Sequence, residues 1–230
     1  MPSHNPKVFP LFLFLLITLL LTFPTVVPSV LIRNYERRNC QGRFEQCTDA
    51  NENTCCDRSA GNPNQRPSFE SSEFRRLPSS GLGLACNARG RENCGLVTDV
   101  SWGEYACAAR GSDLPGAFWF SCRGCPFRGG GNGGNGGGNG GGNGGGNGGG
   151  GNGGPREQAM ELARQQMKDY PPVPVKPDLV GIDGHLFPVN YATPEEITEA
   201  VYKAYDAGLG FEDLPQHVLA HEMVNEDPME

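Results

Sequence analysis

Cysteine is missing from everything after Cys125, and lysine is missing from everything between Val30 and Arg128. The first absence divides the chain. All nine thiols, Cys40, Cys47, Cys55, Cys56, Cys86, Cys94, Cys107, Cys122 and Cys125, crowd into one block behind a hydrophobic leader. Thiols at that density belong to an oxidising compartment, where crosslinks substitute for a core that a short segment cannot build. The second absence leaves arginine as the block's only strong base, and arginine is the better residue for bidentate carboxylate contacts and for stacking on aromatic rings. Long apolar runs are absent after Phe23, so no later stretch approaches the roughly 20 apolar residues a membrane-spanning helix needs. Also missing are a second CxxC beside Cys122–Cys125, an HExxH motif, and any arginine after Arg164. Zinc-site and metalloprotease readings therefore have no complete ligand set, and no cofactor or metal is expected.

What is present begins with Met1–Lys7, carrying one lysine and no acid, followed by the apolar run Val8–Phe23 and by Pro24 and Pro28. A basic start, a short apolar stretch and small residues before a cut make a secretory signal peptide, with cleavage expected after Ser29. A retained signal anchor is the alternative, disfavoured by the length of the run. Arg37-Arg38 would let a dibasic protease release Val30–Arg38 as a pro-segment. Two ordinary surface arginines are the favoured reading, since Arg75-Arg76 matches the dibasic pattern equally well.

Four unlike pieces follow from composition: a signal peptide (1–29), a cysteine-rich disulfide domain (30–128), a Gly/Asn linker (129–154) and an acidic segment (155–230). The block holds 13 Arg against 11 Asp and Glu, while the acidic segment holds 5 Lys and Arg against 15 Asp and Glu. A nucleic-acid partner is disfavoured, because phosphate binding needs a net basic stripe and these arginines are interspersed with acids. The linker repeats GGN, GGGN and GGGGN, too polar to offset ordering entropy and too irregular for collagen. As a flexible coil it spans roughly 28 Å on average. Attachment to cell-wall polymer through this tract is the structural alternative.

Nine sulfurs allow at most four intrachain bridges, leaving one cysteine free or available for a disulfide-linked dimer. Adjacent Cys55 and Cys56 point to opposite sides of an extended strand and so should bond to different partners. Cys122-Arg-Gly-Cys125 reads as a structural crosslink, since Pro126 and the strand-like residues before it do not offer the helix N-terminus a redox pair requires. Patterning in the block is β: Leu96, Thr98, Val100 and Trp102 alternate with Val97, Asp99 and Ser101, and Phe118 and Phe120 alternate with Ala117, Trp119 and Ser121. Phe69–Leu77 and Leu82–Cys86 are weaker strand candidates. Turns are expected at Gly61–Pro67, Pro78–Gly81 and Gly111–Gly116. The expected fold class is a small disulfide-stabilised β domain, then a disordered Gly/Asn linker and a small α+β or helical acidic segment.

Thr54-Cys55-Cys56, Leu77-Pro78, Cys94-Gly95 and Gly116-Ala117-Phe118-Trp119-Phe120 together resemble the layout of fungal small secreted cysteine-rich proteins, a class that includes effector candidates. The likeness covers Cys40–Cys125. It implies an extracellular, non-enzymatic protein and carries over no site residue; the signal peptide, the cysteine block and the lack of a complete catalytic set lead to the reading of a secreted protein that binds an extracellular or host protein or a glycan.

In the acidic segment, Met160, Ala163 and Met167 share one helical face before Tyr170 and Pro171-Pro172. Pro171–Pro177 should be extended, and Asp183-Gly184 between two apolar runs is a hairpin signal. Thr193-Pro194-Glu195-Glu196 has the form of a capping box, with Gly208 ending the helix. A further short helix is expected within Leu214–Val224. His217 and His221 stand four apart, with Glu222 adjacent and His185 elsewhere, but helix-surface histidines are the simpler account. Leu214-Pro215-Gln216-His217 with Glu222 is similar to the Tyr-Pro-His and downstream Glu of fungal guanyl-specific ribonucleases, whose helix Ile197–Ala207 would match. The arginine and second histidine of those enzymes have no counterpart here, so a degenerate secreted hydrolase stands as the alternative. No catalytic residue is assigned.

Overall fold

In the computed structural model, the described residues are 29–60, 68–89, 92–103, 105–109, 114–122 and 154–223. The expected leader, the Gly/Asn tract up to residue 153, Cys125 and the 61–67 and 111–113 turn segments lie outside them.

Two sheets pack face to face. One has six strands in the order β11-β10-β2-β1-β4-β7, and the other has five in the order β6-β5-β8-β3-β9. The strands are β1 (Val30–Arg37), β2 (Gln41–Ala50), β3 (Thr54–Cys56), β4 (Ser71–Arg75), β5 (Gly81–Arg89), β6 (Glu92–Ser101), β7 (Tyr105–Ala108), β8 (Gly116–Ser121), β9 (Val173–Val175), β10 (Leu179–Ile182) and β11 (His185–Pro188). Pairing is antiparallel throughout except between β3 and β9. Three helices follow in chain order: α1 (Pro155–Asp169), α2 (Glu195–Asp206) and α3 (Gln216–Leu219).

Strand alternation sorts the side chains into layers. Val30, Ile32, Cys47 and Phe74 of the first sheet meet Cys56, Ala85, Ala117 and Trp119 of the second in the sandwich core. Two polar contacts cross it: Asn34 Nδ2 donates to the Cys56 carbonyl (3.1 Å), and Trp119 Nε1 donates to the Ala50 carbonyl (2.8 Å). Such partners are obligatory, because a buried polar group without one costs about 1–3 kcal/mol. The other face of the second sheet carries Leu82, Leu84, Cys86, Phe118 and Phe120, sealed by Ala159, Met160 and Ala163 of α1. Strand β8 is thus buried on both faces, as its unbroken Gly-Ala-Phe-Trp-Phe sequence suits. Helix α2 packs Ile197, Val201, Ala204 and Tyr205 onto Val180, Ile182 and Phe187 of the β10–β11 hairpin.

Several expectations hold. Cys55 and Cys56 do bond to different partners: Cys56 crosses the sandwich to Cys47, and Cys55 joins Cys94 on the α1 side. Cys40 bonds Cys107, tying the β1–β2 turn to the edge strand β7. Cys122 is also disulfide-bonded, its partner lying outside the described residues. Among the described residues Cys86 is the free thiol, and it is fully buried. The Asp183-Gly184 hairpin forms, with both residues in the left-handed region (φ 51° and 87°) that a tight two-residue turn demands.

Other expectations are corrected. The acidic segment does not stand apart from the cysteine-rich block as a small α+β unit. Its β9 extends the second sheet beside β3, and its β10 extends the first beside β2. The reason is apolar economy: the segment's own apolar content is modest, and its short strands are stabilised only by completing larger sheets. Removal of Val30–Arg38 would delete β1, a central and buried strand, so Arg37-Arg38 reads as a strand end rather than a pro-segment boundary. In β6 a register shift opposite Ala85 and Cys86 lets Val97 and Val100 face the same cluster and leaves Leu96 45% exposed, which breaks the simple alternation. The Thr193 capping box does not form; α2 starts at Glu195 after Pro194, with no side-chain cap. The last helix is a single turn.

Candidate functional site

A cleft of about 770 Å³ lies between the Arg89 and Glu92 ends of β5 and β6 and the exposed side of α1. The β3 strand and its exit bring Cys55, Asp57 and Ser59, the hairpin brings Arg89, Glu92, Asn93 and Leu96, and α1 brings Glu161, Arg164, Met167 and Lys168. Pro171, Pro172 and Pro174 close one end. Prolines at this edge have a second effect: β9 donates Val173 N–H to the Asn53 carbonyl and accepts at Val175 from Asp57 N–H on its β3 side, while Pro174 has no N–H to offer a further strand.

The Cys55–Cys94 disulfide, both of whose residues line the cleft, sits over Gly116. A Cβ there would lie 3.0 Å from each sulfur and 3.0 Å from the Cys56 carbonyl, so any side chain would press on all three. Beside it is a buried polar knot. Asp57 Oδ1 accepts from the Ser59 amide and hydroxyl (both 2.8 Å), Asp57 Oδ2 accepts from Asn93 Nδ2 (2.9 Å), and Asn93 also contacts Ser59 Oγ. With every acceptor occupied, this knot fixes the exit of β3 rather than offering a nucleophile. The rim carries three cations, Arg89, Arg164 and Lys168, against Glu92 and Glu161, and Glu161 is itself engaged by Arg164 at 3.4 Å. No aromatic ring lines the cleft among the described residues.

A second charged cluster joins the two halves of the chain. Glu45 on β2 is fully buried and accepts from Arg58 Nη1 at 2.9 Å through one oxygen, while its other oxygen has no partner among the described residues. Arg58 also grips Asp206 at the end of α2 with both terminal nitrogens, and its guanidinium lies 4.5 Å from the Tyr202 ring centroid. Burial pushes the Glu45 carboxyl up to about 7, against the pull of Arg58. Burial likewise raises Tyr202 and Tyr205 well above the ordinary phenol range, with the Glu45 charge adding to it. Arg43 makes the parallel contact nearby, paired with Glu36 through both oxygens (2.7 and 2.8 Å) and 5.2 Å from the Tyr205 ring. On the far side, Asp99 is buried and holds α1 through Arg156 Nε (2.9 Å) and Nη2. The block's arginines thus serve internal ion pairs and ring contacts, a use that lysine's point charge serves less well.

The histidine and ribonuclease-like residues are not assembled into one site. Glu222 pairs with His185, Nδ1 to Oε1 at 2.6 Å, and His185 stacks on Phe211 with centroids 3.5 Å apart. His217 is exposed on the one-turn α3. Among the described residues no group of three metal-ligating side chains occurs, and no helix is long and apolar enough to cross a membrane. The aromatic residues of the block are core: Phe118, Trp119 and Phe120 of β8 are buried, and Trp102 packs partly buried against the α1-side cluster. Sequence reading gave no sign of Glu45 or of the cleft, because both arise from residues that only the sheet pairing brings together.

Residues 31–147 match the family model ARB_05566_N, described as an N-terminal domain, and the match spans half the chain; the protein belongs to that family. No curated protein and no solved structure matches the chain.

Proposed function

We propose that this family member is a secreted, non-enzymatic binding protein that takes an extracellular target, of host origin in the effector-like reading, into the cleft between α1 and the β5–β6 hairpin. The observation that carries this reading is the cleft itself. Its volume falls within the roughly 300–1,000 Å³ of ordinary ligand sites. Its walls combine apolar surface (exposed Leu96, half-buried Met167 and the proline end) with a ring of charged side chains. That chemistry suits a flexible protein segment bearing acidic residues better than a glycan, which would use aromatic rings that the wall does not supply. The disulfides fit an oxidising compartment, and residues 1–29 supply the export signal in this reading.

The test is retention of the target from native extracellular fluid by immobilised wild-type protein and by Leu96→Asp and Arg164→Glu variants. At least tenfold weaker retention by both variants, with unfolding midpoints unchanged, is the expected result. Equal retention would move the interface off the cleft. The hydrolase alternative rests on the His185–Glu222 pair, which orients one ring nitrogen and leaves the imidazole 37% exposed. RNA turnover by wild type that disappears in His185→Ala would favour it over the binding reading.

A further inference from the structure

We propose that Cys86 and the Cys55–Cys94 disulfide form a thiol–disulfide exchange unit in the wall of the cleft. The three cysteines belong to one buried cluster on the α1 side of the second sheet. Cys86 on β5 stands directly opposite Gly116 on β8. Side chains at opposite positions of an antiparallel pair share a face, with Cβ atoms about 4.5–5.5 Å apart. A Cβ at Gly116 would touch both Cys55 Sγ and Cys94 Sγ at 3.0 Å. Gly116 therefore places no side chain of its own between the free thiol and the disulfide, and all three sulfurs belong to one packed cluster.

The step needs no outside oxidant or reductant. The Cys86 thiolate attacks one sulfur of the pair, a new S–S bond forms as the Cys55–Cys94 bond breaks, and the departing sulfur takes up the proton that Cys86 lost. Either departing sulfur belongs to a residue that lines the cleft. The exchange thus carries the single thiol from beneath α1 to the ligand-facing wall, and it gives the odd ninth cysteine a defined place. It holds whatever the cleft binds.

Burial restrains the step. Ala159, Met160 and Ala163 of α1 cover the cluster, and the helix is pinned by Arg156 to Asp99. Burial alone raises the Cys86 thiol far above its ordinary range, and no charged group acts on it. The attacking thiolate therefore forms when α1 lifts or when the solution is alkaline.

The experiment is disulfide mapping of the full oxidised chain, incubated at pH 7.5 or 9.5, quenched in acid and alkylated after denaturation. At pH 7.5 the label should sit on Cys86. At pH 9.5 it should move to Cys55 or Cys94, with an equal amount of a new Cys86-containing disulfide, while Cys47–Cys56 stays intact. Arg156→Ala should speed the transfer at pH 7.5 at least tenfold. In Cys86→Ser the Cys55–Cys94 bond should stay unlabelled at pH 9.5. A label that remains on Cys86 throughout, or that scatters equally to Cys47 and Cys56, overturns the proposal. So does cleavage of Cys55–Cys94 in Cys86→Ser, since hydroxide rather than the thiol would then be the attacker.

Discussion

The cysteine-rich half and the acidic half of this chain are built on opposite principles yet share two sheets. The first half supplies β1–β8 and every disulfide; the second supplies no cysteine, three short strands and the helices that cover two apolar faces. Covalent bridges hold the first half by restricting its unfolded state. The loop-closure relation gives about 4 kcal/mol for Cys40–Cys107 and about 3 kcal/mol for Cys47–Cys56, from their separations of 67 and 9 residues. The second half is held by burial and by ion pairs that cross between the halves, Arg58–Asp206 in one direction and Arg156–Asp99 in the other. The opposite charge balance of the two halves, which in the sequence looks like a domain boundary, is in the structure the sign of an interface.

Removing residues 155–230 gives the largest expected effect. Truncation uncovers the Phe118–Phe120 face and strips a neighbour from β2 and from β3, so the remaining block should lose its cooperative thermal transition and bind a hydrophobic dye. An independently folded disulfide domain would instead melt as sharply as the full chain. Arg58→Met comes next. It leaves the fully buried Glu45 without its partner, and breaking a buried pair from one side costs about 3–5 kcal/mol, to be read from the urea midpoint.

The pH dependence of that site has a definite sign. Glu45 titrates near 7 in the folded chain against an ordinary 4.5, so between those values the folded state binds more protons than the unfolded state. Its contribution to stability is therefore complete below pH 4.5 and is lost as pH rises through 7, amounting to about 3 kcal/mol at most. Asp178, also raised by burial, adds in the same direction. Unfolding midpoints measured from pH 4.5 to 8 should fall for the wild type and fall less for Glu45→Gln. Gly116→Ala should cost about 1–3 kcal/mol by crowding two sulfurs and a carbonyl. Thr193→Ala is expected to change stability by less than about 0.5 kcal/mol, because no cap bond is lost.

What the sequence discloses is local. The Asp183-Gly184 turn, the α1 face, the opposed directions of Cys55 and Cys56 and the β8 strand all rest on spacing within a few residues, and each appears in the structure. What it hides is pairing at a distance. β2, Gln41–Ala50, reads as polar because Glu45 and Gln46 are buried only through Arg58 and Arg33, which contact them from elsewhere in the fold. β9 is three residues alternating with prolines and has no strand signal apart from its place beside β3. The cleft is invisible for the same reason, since its walls come from β3, the β5–β6 hairpin and a helix far apart in the chain.

Native-state hydrogen exchange on the full oxidised chain tests the central claim most directly, that both halves form one cooperative sandwich. The amides of Val173 and of Leu179–Ile182 should open with the same free energy, within about 1 kcal/mol, as those of β1 and β8. Exchange in residues 173–189 several hundred times faster than in β1 and β8 would contradict it, and would restore the acidic half as a separately tethered unit.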